Sequence, residues 1–388
     1  MRKPLILIAA VAAALAGLFA VEGSRIPEFR YPDAVAYDTS RAERFQVITV
    51  QMRWSLDDYA SPQAFRARVA GLIEKGLSKC DPSLPTLAVF PEDVGLPLTM
   101  TKSMAALLDE TNWEEAATEA IVRNGPAVLW NRVRHGVGTM RAYALSQAPL
   151  AGKVYVETFS ELARQHQIYI IAGSAPLPEF AVDHERGVIQ FRPQSGEVYN
   201  VSYMFGPDGR PIGVQRKVHL IDLESEGGID LSRGDLDDLG VVDTPFGVIG
   251  IAICFDGFHD DVLDRLESLG AEILVQPSAN PGAWNKAQQE SWLTGSWKAV
   301  QDRESFECAI NPMMTGPLFD LPFEGQSSIA MRGVDGAPGY REVSVDQGFV
   351  TAAQGHDTEE VLVTVFVRTE DGLRALQSQS GAVQAASP

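Results

Sequence analysis

The chain has 388 residues, 45% of them hydrophobic, and a formal net charge of −19. That composition can bury a large core, as one big domain or two smaller ones. The acidity argues against nucleic acid as a partner, because a phosphate backbone would be repelled, and against adhesion to anionic lipid through a basic patch.

The N-terminal stretch reads apart from the rest. Met1, Arg2 and Lys3 form a positive flank, and Pro4 to Val21 is an uninterrupted apolar run that Glu22 to Arg25 end abruptly. Residues 1–25 therefore read as a secretory signal or an uncleaved membrane anchor, and either one places the remainder outside the cytoplasm.

From about residue 45 short apolar runs alternate with helical stretches. Phe45 to Met52 predicts a strand, and Ser61-Pro62 caps a helix running to about Lys79. Thr86 to Phe90 is a short buried strand ending at Pro91-Glu92. A helix from about Lys153 to His166 leads into a strand at Ile168 to Ala172. Val198 to Phe205 and Ile212 to Val218 flank the turn Pro207-Asp208-Gly209-Arg210 and predict a hairpin, as do Val241 to Thr244 and Val248 to Cys254. Then come a helix (Asp260 to Leu269), a strand (Glu272 to Gln276), a helix (Ala287 to Glu304) and strands at 306–311, 326–331, 348–352 and 361–367. Strands alternating with helices, together with hairpins, predict an α/β layered domain with mixed sheets over about 44–367. The tail 369–388, rich in Gln, Ser, Gly and Ala, predicts disorder. Leu98 to Leu150 reads as an insertion, since one crossing helix would suffice between its flanking strands. It could close over a site, serve an oligomer or face a membrane.

Three cysteines, Cys80, Cys254 and Cys308, are too few and odd in number for a disulfide framework. A Cys80–Cys308 bridge is conceivable. The histidines at 135, 166, 184, 259 and 356 lack ligand spacing, so no metal site is expected.

Three polar residues close apolar strands, where α/β sheets present their sites: Glu92 in VFPED, Lys217 in QRKVHL and Cys254 in GIAICFDG. Singly, each has an ordinary structural explanation. Together they supply a set for acyl transfer without metal or organic cofactor. A thiol on a turn before a helix, near a cation, would be activated as thiolate. A carboxylate can move the thiol proton to a leaving amine and later activate water. An ammonium group and the Phe255 N–H would hold the tetrahedral oxyanion. Asp256 would order the turn after the nucleophile. His219 reads as a site neighbour or, more plainly, a hydrogen-bonded core histidine. Asn280 and Trp284 could line an acyl pocket or simply pack.

The segments LAVFPE, YNVSYMFGPDGRPIGVQRKVHL and DTPFGVIGIAICFD resemble the three signature blocks of the nitrilase (carbon–nitrogen hydrolase) superfamily, and FEGQSSIAMRG resembles a later strand of that family. The resemblance implies a four-layer αββα sandwich, a catalytic Glu92, Lys217 and Cys254, a second glutamate supporting the lysine (Glu224 or Glu226), and homodimers or larger homo-oligomers. Phe255-Asp256 after the cysteine is more similar to the amidase and carbamoylase branches than to true nitrilases, which implies a small-molecule amide substrate. N-acyl transfer, nitrile hydrolysis and a non-catalytic binding protein on the same fold are the alternatives.

Overall fold

The computed structural model describes residues 26–33, 40–183, 185–335, 338–343, 345, 347–370, 372–376 and the backbone of 379–380. The apolar run at 4–21, His184 and the end of the tail lie outside the described residues. Among the described residues no helix is long and apolar enough to cross a membrane.

The architecture is a four-layer αββα sandwich, built from the period-two alternation of its strands. In Arg44–Arg53, Phe45 and Val47 face a core shared between two sheets, while Ile48 and Val50 face an outer helical layer. Thr86–Val89 repeats the pattern, with Leu87 and Val89 turned inward and Ala88 outward.

The first sheet pairs Arg44–Arg53, Thr86–Val89 and Tyr169–Ile171 in parallel, continues antiparallel into Tyr199–Phe205, and gains Glu360–Thr369 beside Arg44–Arg53. The second sheet runs Val241–Thr244, Gly247–Ile251, Ile273–Val275, Cys308–Asn311, Ser328–Asp335 and Gln347–Ala352 in spatial order. Isoleucines 249, 251, 273 and 310 close the shared core against the first sheet.

Helices cover both outer faces. Helix α1 (Pro62–Leu77) starts at Ser61, whose hydroxyl accepts from the Ala64 N–H, and buries Phe65, Val69, Leu72 and Ile73 on the first sheet. Four helices follow: α2 (Met104–Leu107), α3 (Trp113–Arg123), α4 (Gly125–His135) and α5 (Thr139–His166). Helix α6 (Asp260–Ser268) covers the second sheet, followed by α7 (Lys286–Trp292) and α8 (Lys298–Asp302).

Four expectations change. The crossing helix begins at Thr139, not Lys153, and runs through Pro149, so residues 139–150 of the segment expected as an insertion belong to it. The helix expected at 287–304 is broken by a π-turn at Leu293–Trp297, where Gly295 leaves helical geometry. The start of the tail is ordered: Gly372–Ala375 pairs antiparallel with Glu360–Thr369. Strands at Ala175–Leu177, Phe180–Asp183, Val188–Pro193, Met313–Leu318 and Leu321–Phe323 are additions that short, proline-punctuated runs do not announce.

Candidate active site

Glu92 stands two residues past Phe90, just beyond the end of a strand buried along its whole length. Its neighbour Pro91 is fixed by Gly173, whose φ is +64° and whose position leaves no room for a side chain: a Cβ there would lie 1.9 Å from the Pro91 carbonyl oxygen. Lys217 follows the strand Pro211–Arg216, and Cys254 follows Gly247–Ile251 in the other sheet. The ends of strands from both sheets thus converge on one point, 2–5% exposed for Glu92 and Cys254 and wholly buried for Lys217.

Lys217 Nζ donates to Glu92 Oε1 at 2.7 Å and to Glu224 Oε2 at 2.6 Å. Asn200, which sequence reasoning passed over, ties the same two carboxylates together: its Nδ2 lies 2.9 Å from Glu92 Oε1 and 2.8 Å from Glu224 Oε1. The remaining Glu92 oxygen accepts the Ala279 N–H at 3.0 Å. Glu224 closes the short 3₁₀ turn Asp222–Glu224, where Oε2 also takes the Ile221 N–H at 3.0 Å. Glu226 is exposed, so the choice the sequence left open falls on Glu224 as the neighbour of Lys217.

Electrostatics follow from this packing. Burial works against the Lys217 charge, but the Glu92 and Glu224 carboxylates outweigh it and hold the ammonium pKa well above its ordinary range. Burial pushes the Glu92 carboxyl up; Lys217 opposes this and Glu224 adds to it. Cys254 departs from the sequence expectation of a preformed thiolate. Burial first, and then the Glu92 charge, raise its thiol well above the ordinary value, and Lys217 offsets only part of that. The helix α6 dipole is not beside the sulfur either, because the 3₁₀ turn Cys254–Phe258 intervenes.

Cys254 itself sits at φ +48°, a left-handed conformation that costs a non-glycine residue about 1–3 kcal/mol. The surroundings impose it. The Cys254 N–H bonds the Pro277 carbonyl at 2.8 Å, and the Cys254 carbonyl accepts from Gln276 Nε2 at 2.7 Å. Gln276 Oε1 in turn takes the Ser296 N–H at 3.2 Å, at the π-turn that breaks the following helix. Asp256 is fully buried and fastens the two blocks: Oδ1 accepts the His219 N–H at 2.7 Å and Oδ2 the Val218 N–H at 3.1 Å. Burial raises its pKa to about 7.

A cavity of about 20 Å³ lies against Glu92, Asp93 and Lys217, with room for little more than one water. Trp113, the first residue of α3, forms part of its wall together with Leu318 and Leu321. Asp320, at the tip between Met313–Leu318 and Leu321–Phe323, holds that helix start. It accepts the Trp113 N–H at 2.8 Å and Asn112 Nδ2 at 3.0 Å. Inserted segment and hairpin therefore meet over the site. Asp93 was also missed; its φ is +59°, and burial and the neighbouring Glu92 and Glu224 charges push its carboxyl well above the usual range.

Asn280 and Trp284, expected on a pocket wall, are not on that of this cavity. The Asn280 amide donates to the Glu324 carbonyl at 2.9 Å and accepts from Gln288 Nε2, while Trp284 Nε1 donates to Gln326 Oε1 at 2.9 Å in a nest of Trp292 and Tyr340. Both hold the 280–288 loop. The Phe255 ring is outward, 37% exposed, against His259. His219 stacks on His259 with centroids 3.8 Å apart and pairs with Asp261, away from the thiol. All three cysteines are free thiols. Among the described residues no cluster of His, Cys, Asp or Glu could hold a metal ion.

Residues 136–303, which include Lys217 and Cys254, match the model of the family described as carbon-nitrogen hydrolase. That stretch is less than half of the chain, which is similar over it to the carbon–nitrogen hydrolases. Curated proteins similar to the chain include omega-amidase NIT2-B of Xenopus laevis, 30% identical over 142 residues, which are 34% of this chain and 46% of that protein. Human omega-amidase NIT2 is 30% identical over 144 residues, 34% of this chain and 46% of its own length. The chain thus spans less than half the length of these relatives. The fold also matches solved structures. A carbon-nitrogen hydrolase from Helicobacter pylori G27 superposes with a TM-score of 0.53 at 20% identity, covering 83% of this chain and 89% of that one. Saccharomyces cerevisiae Nit3, described as a member of branch 10 of the nitrilase superfamily, gives 0.52 at 19% identity, covering 85% and 92%.

Proposed function

We propose that the chain hydrolyses a small amide through a thioester on Cys254, with Glu92 as general base and acid and Lys217 as oxyanion partner. The observation that carries this reading is the buried convergence of Glu92, Lys217 and Cys254, in which one carboxylate is held by Lys217, Asn200 and the Ala279 N–H. The amidase names of the curated relatives support the substrate class.

The resting thiol is protonated, so attack and proton transfer go together. Glu92 takes the Sγ proton as sulfur bonds to the amide carbon. The carbonyl oxygen becomes an oxyanion facing the Lys217 ammonium and the Phe255 N–H, a first-turn donor that a helical ladder leaves unpaired. Glu92 then delivers its proton to the departing nitrogen, the carbon–nitrogen bond breaks, and a thioester remains. Water attacks the thioester, Glu92 takes the water proton and returns it to sulfur, and the acid leaves. A carboxyl raised above its ordinary range suits a group that both accepts and donates near neutral pH. Glu224 and Asn200 are positioning residues that fix Lys217 and Glu92.

Ammonia release from a panel of primary amides tests the reading. Cys254→Ala should abolish it while leaving the thermal unfolding midpoint unchanged. Retained turnover would move the nucleophile elsewhere, and transfer to an added amine in preference to water would favour the acyltransferase alternative.

A further inference from the structure

The inserted segment carries a surface at odds with the rest of the molecule. On helix α4, Pro126, Leu129, Trp130 and Val133 fall at i, i+3, i+4 and i+7, one stripe of the helix, and all four are exposed. Leu129 is 58% exposed, Trp130 43% and Val133 75%, so this helix turns an apolar face to the outside. The opposite side packs through Val128 against the body.

The charge is equally out of pattern. Residues 120–156 contain no Asp or Glu, in a chain holding 51 acidic residues. Arg132 and Arg134 flank the stripe. Beside it lies a cleft of about 390 Å³ whose rim includes Lys102, Arg134 and Arg192 and whose wall has no acidic residue. The whole-chain charge argued against a basic patch for lipid; locally the sign is reversed. An exposed Trp-Leu-Val stripe edged by arginines is the composition of a helix lying in a membrane interface.

The position of the chain decides the occupant. Ile26 and Pro27 line the same cleft as Trp130, and Glu28–Arg30 pins them there by pairing with Val188–Pro193. The apolar run in the sequence ends at Val21, only four residues before Ile26. That stretch can span at most about 18 Å. An apolar segment held in a bilayer would therefore deliver the α4 stripe to the surface of the same bilayer.

We infer that the outer face of α4 is a membrane-docking surface that seats Leu129, Trp130 and Val133 in the interface of a phospholipid bilayer with Arg132 and Arg134 at the headgroups. Helix α4 directly follows α3, whose first residue, Trp113, lines the cavity at Glu92.

The test uses the full chain with vesicles of phosphatidylcholine and phosphatidylglycerol carrying brominated acyl chains, which quench tryptophans at the interface. Wild type should lose roughly one-sixth of its fluorescence, the share of one among six tryptophans, and Trp130→Phe should abolish that loss. Arg132→Glu/Arg134→Glu should at least halve the quenching, and Leu129→Glu/Val133→Glu should remove it. Circular dichroism checks that each variant is folded. Equal quenching in wild type and Trp130→Phe overturns the inference. So does an unquenched Trp130 accompanied by a dimer that Leu129→Glu/Val133→Glu dissociates, which assigns the stripe to a second copy. Trp130 emission already blue-shifted without vesicles and unchanged by them assigns it to the chain's own N-terminal segment, and also overturns it.

Discussion

Lys217 Nζ lies 2.6 Å from Glu224 Oε2 with both side chains almost wholly out of solvent, so the ammonium is neutralised by a residue only seven positions along the chain. Truncating Glu224 leaves Lys217 paired with Glu92 but takes a buried acceptor from Asn200 Nδ2 and from the Ile221 N–H, at a cost of about 1–3 kcal/mol. Glu224→Ala should lower the unfolding free energy by that order in denaturant titration. Glu224→Gln keeps the shape but loosens Lys217, and kcat should fall on the order of 10–100-fold through misplacement of the oxyanion partner.

The same pair predicts a pH effect. The Glu224 charge is one of the causes that raise the Glu92 carboxyl. The acid limb of kcat/KM, where Glu92 becomes protonated and ceases to act as base, should lie above the ordinary carboxylate range in the wild type. In Glu224→Gln that limb should move to lower pH, as read from a full pH–rate profile.

Asp256 gives a prediction about stability. Its pKa rises from the ordinary 3.8 to about 7, chiefly through burial. Between these values the folded chain holds a proton that the unfolded chain has released. This contribution is fully present below about 4 and is lost as pH rises through 7. Urea unfolding at pH 4.5 and 7.5 should therefore show a larger loss for the wild type than for Asp256→Asn, the difference being on the order of 3 kcal/mol.

Trp113 tests the closing of the site. The indole forms part of the wall of the cavity of about 20 Å³ at Glu92 and Lys217, so its removal should widen that space. Trp113→Ala should raise kcat/KM for bulky amides relative to formamide or acetamide on the order of tenfold, the scale of a changed apolar wall. An unchanged ratio would place substrate entry elsewhere.

Much of this site was legible because Glu92, Lys217 and Cys254 each terminate an apolar strand, and strand ends are where side chains leave a core for a site. Asn200 was not, because its role arises from the antiparallel pairing that carries Tyr199–Phe205 beside Pro211–Arg216 and under Glu92. The choice between Glu224 and Glu226 depended on a three-residue 3₁₀ turn that buries one and exposes the other. The start of the crossing helix was misplaced because a proline such as Pro149 disfavours a helix interior, yet α5 continues through it at the expense of one backbone donor. The sequence suggested Lys217 as a cation that could lower the Cys254 thiol but did not give the depth of burial, which pushes that thiol up.

The most direct measurement of the central claim is rapid acid quench of the full chain turning over a small primary amide, followed by intact-mass and peptide mapping. The account predicts a transient acyl mass on the peptide containing Cys254, absent in Cys254→Ala, with Cys80 and Cys308 unmodified. Acylation of another residue, or ammonia release with undiminished rate in Cys254→Ala, would contradict it.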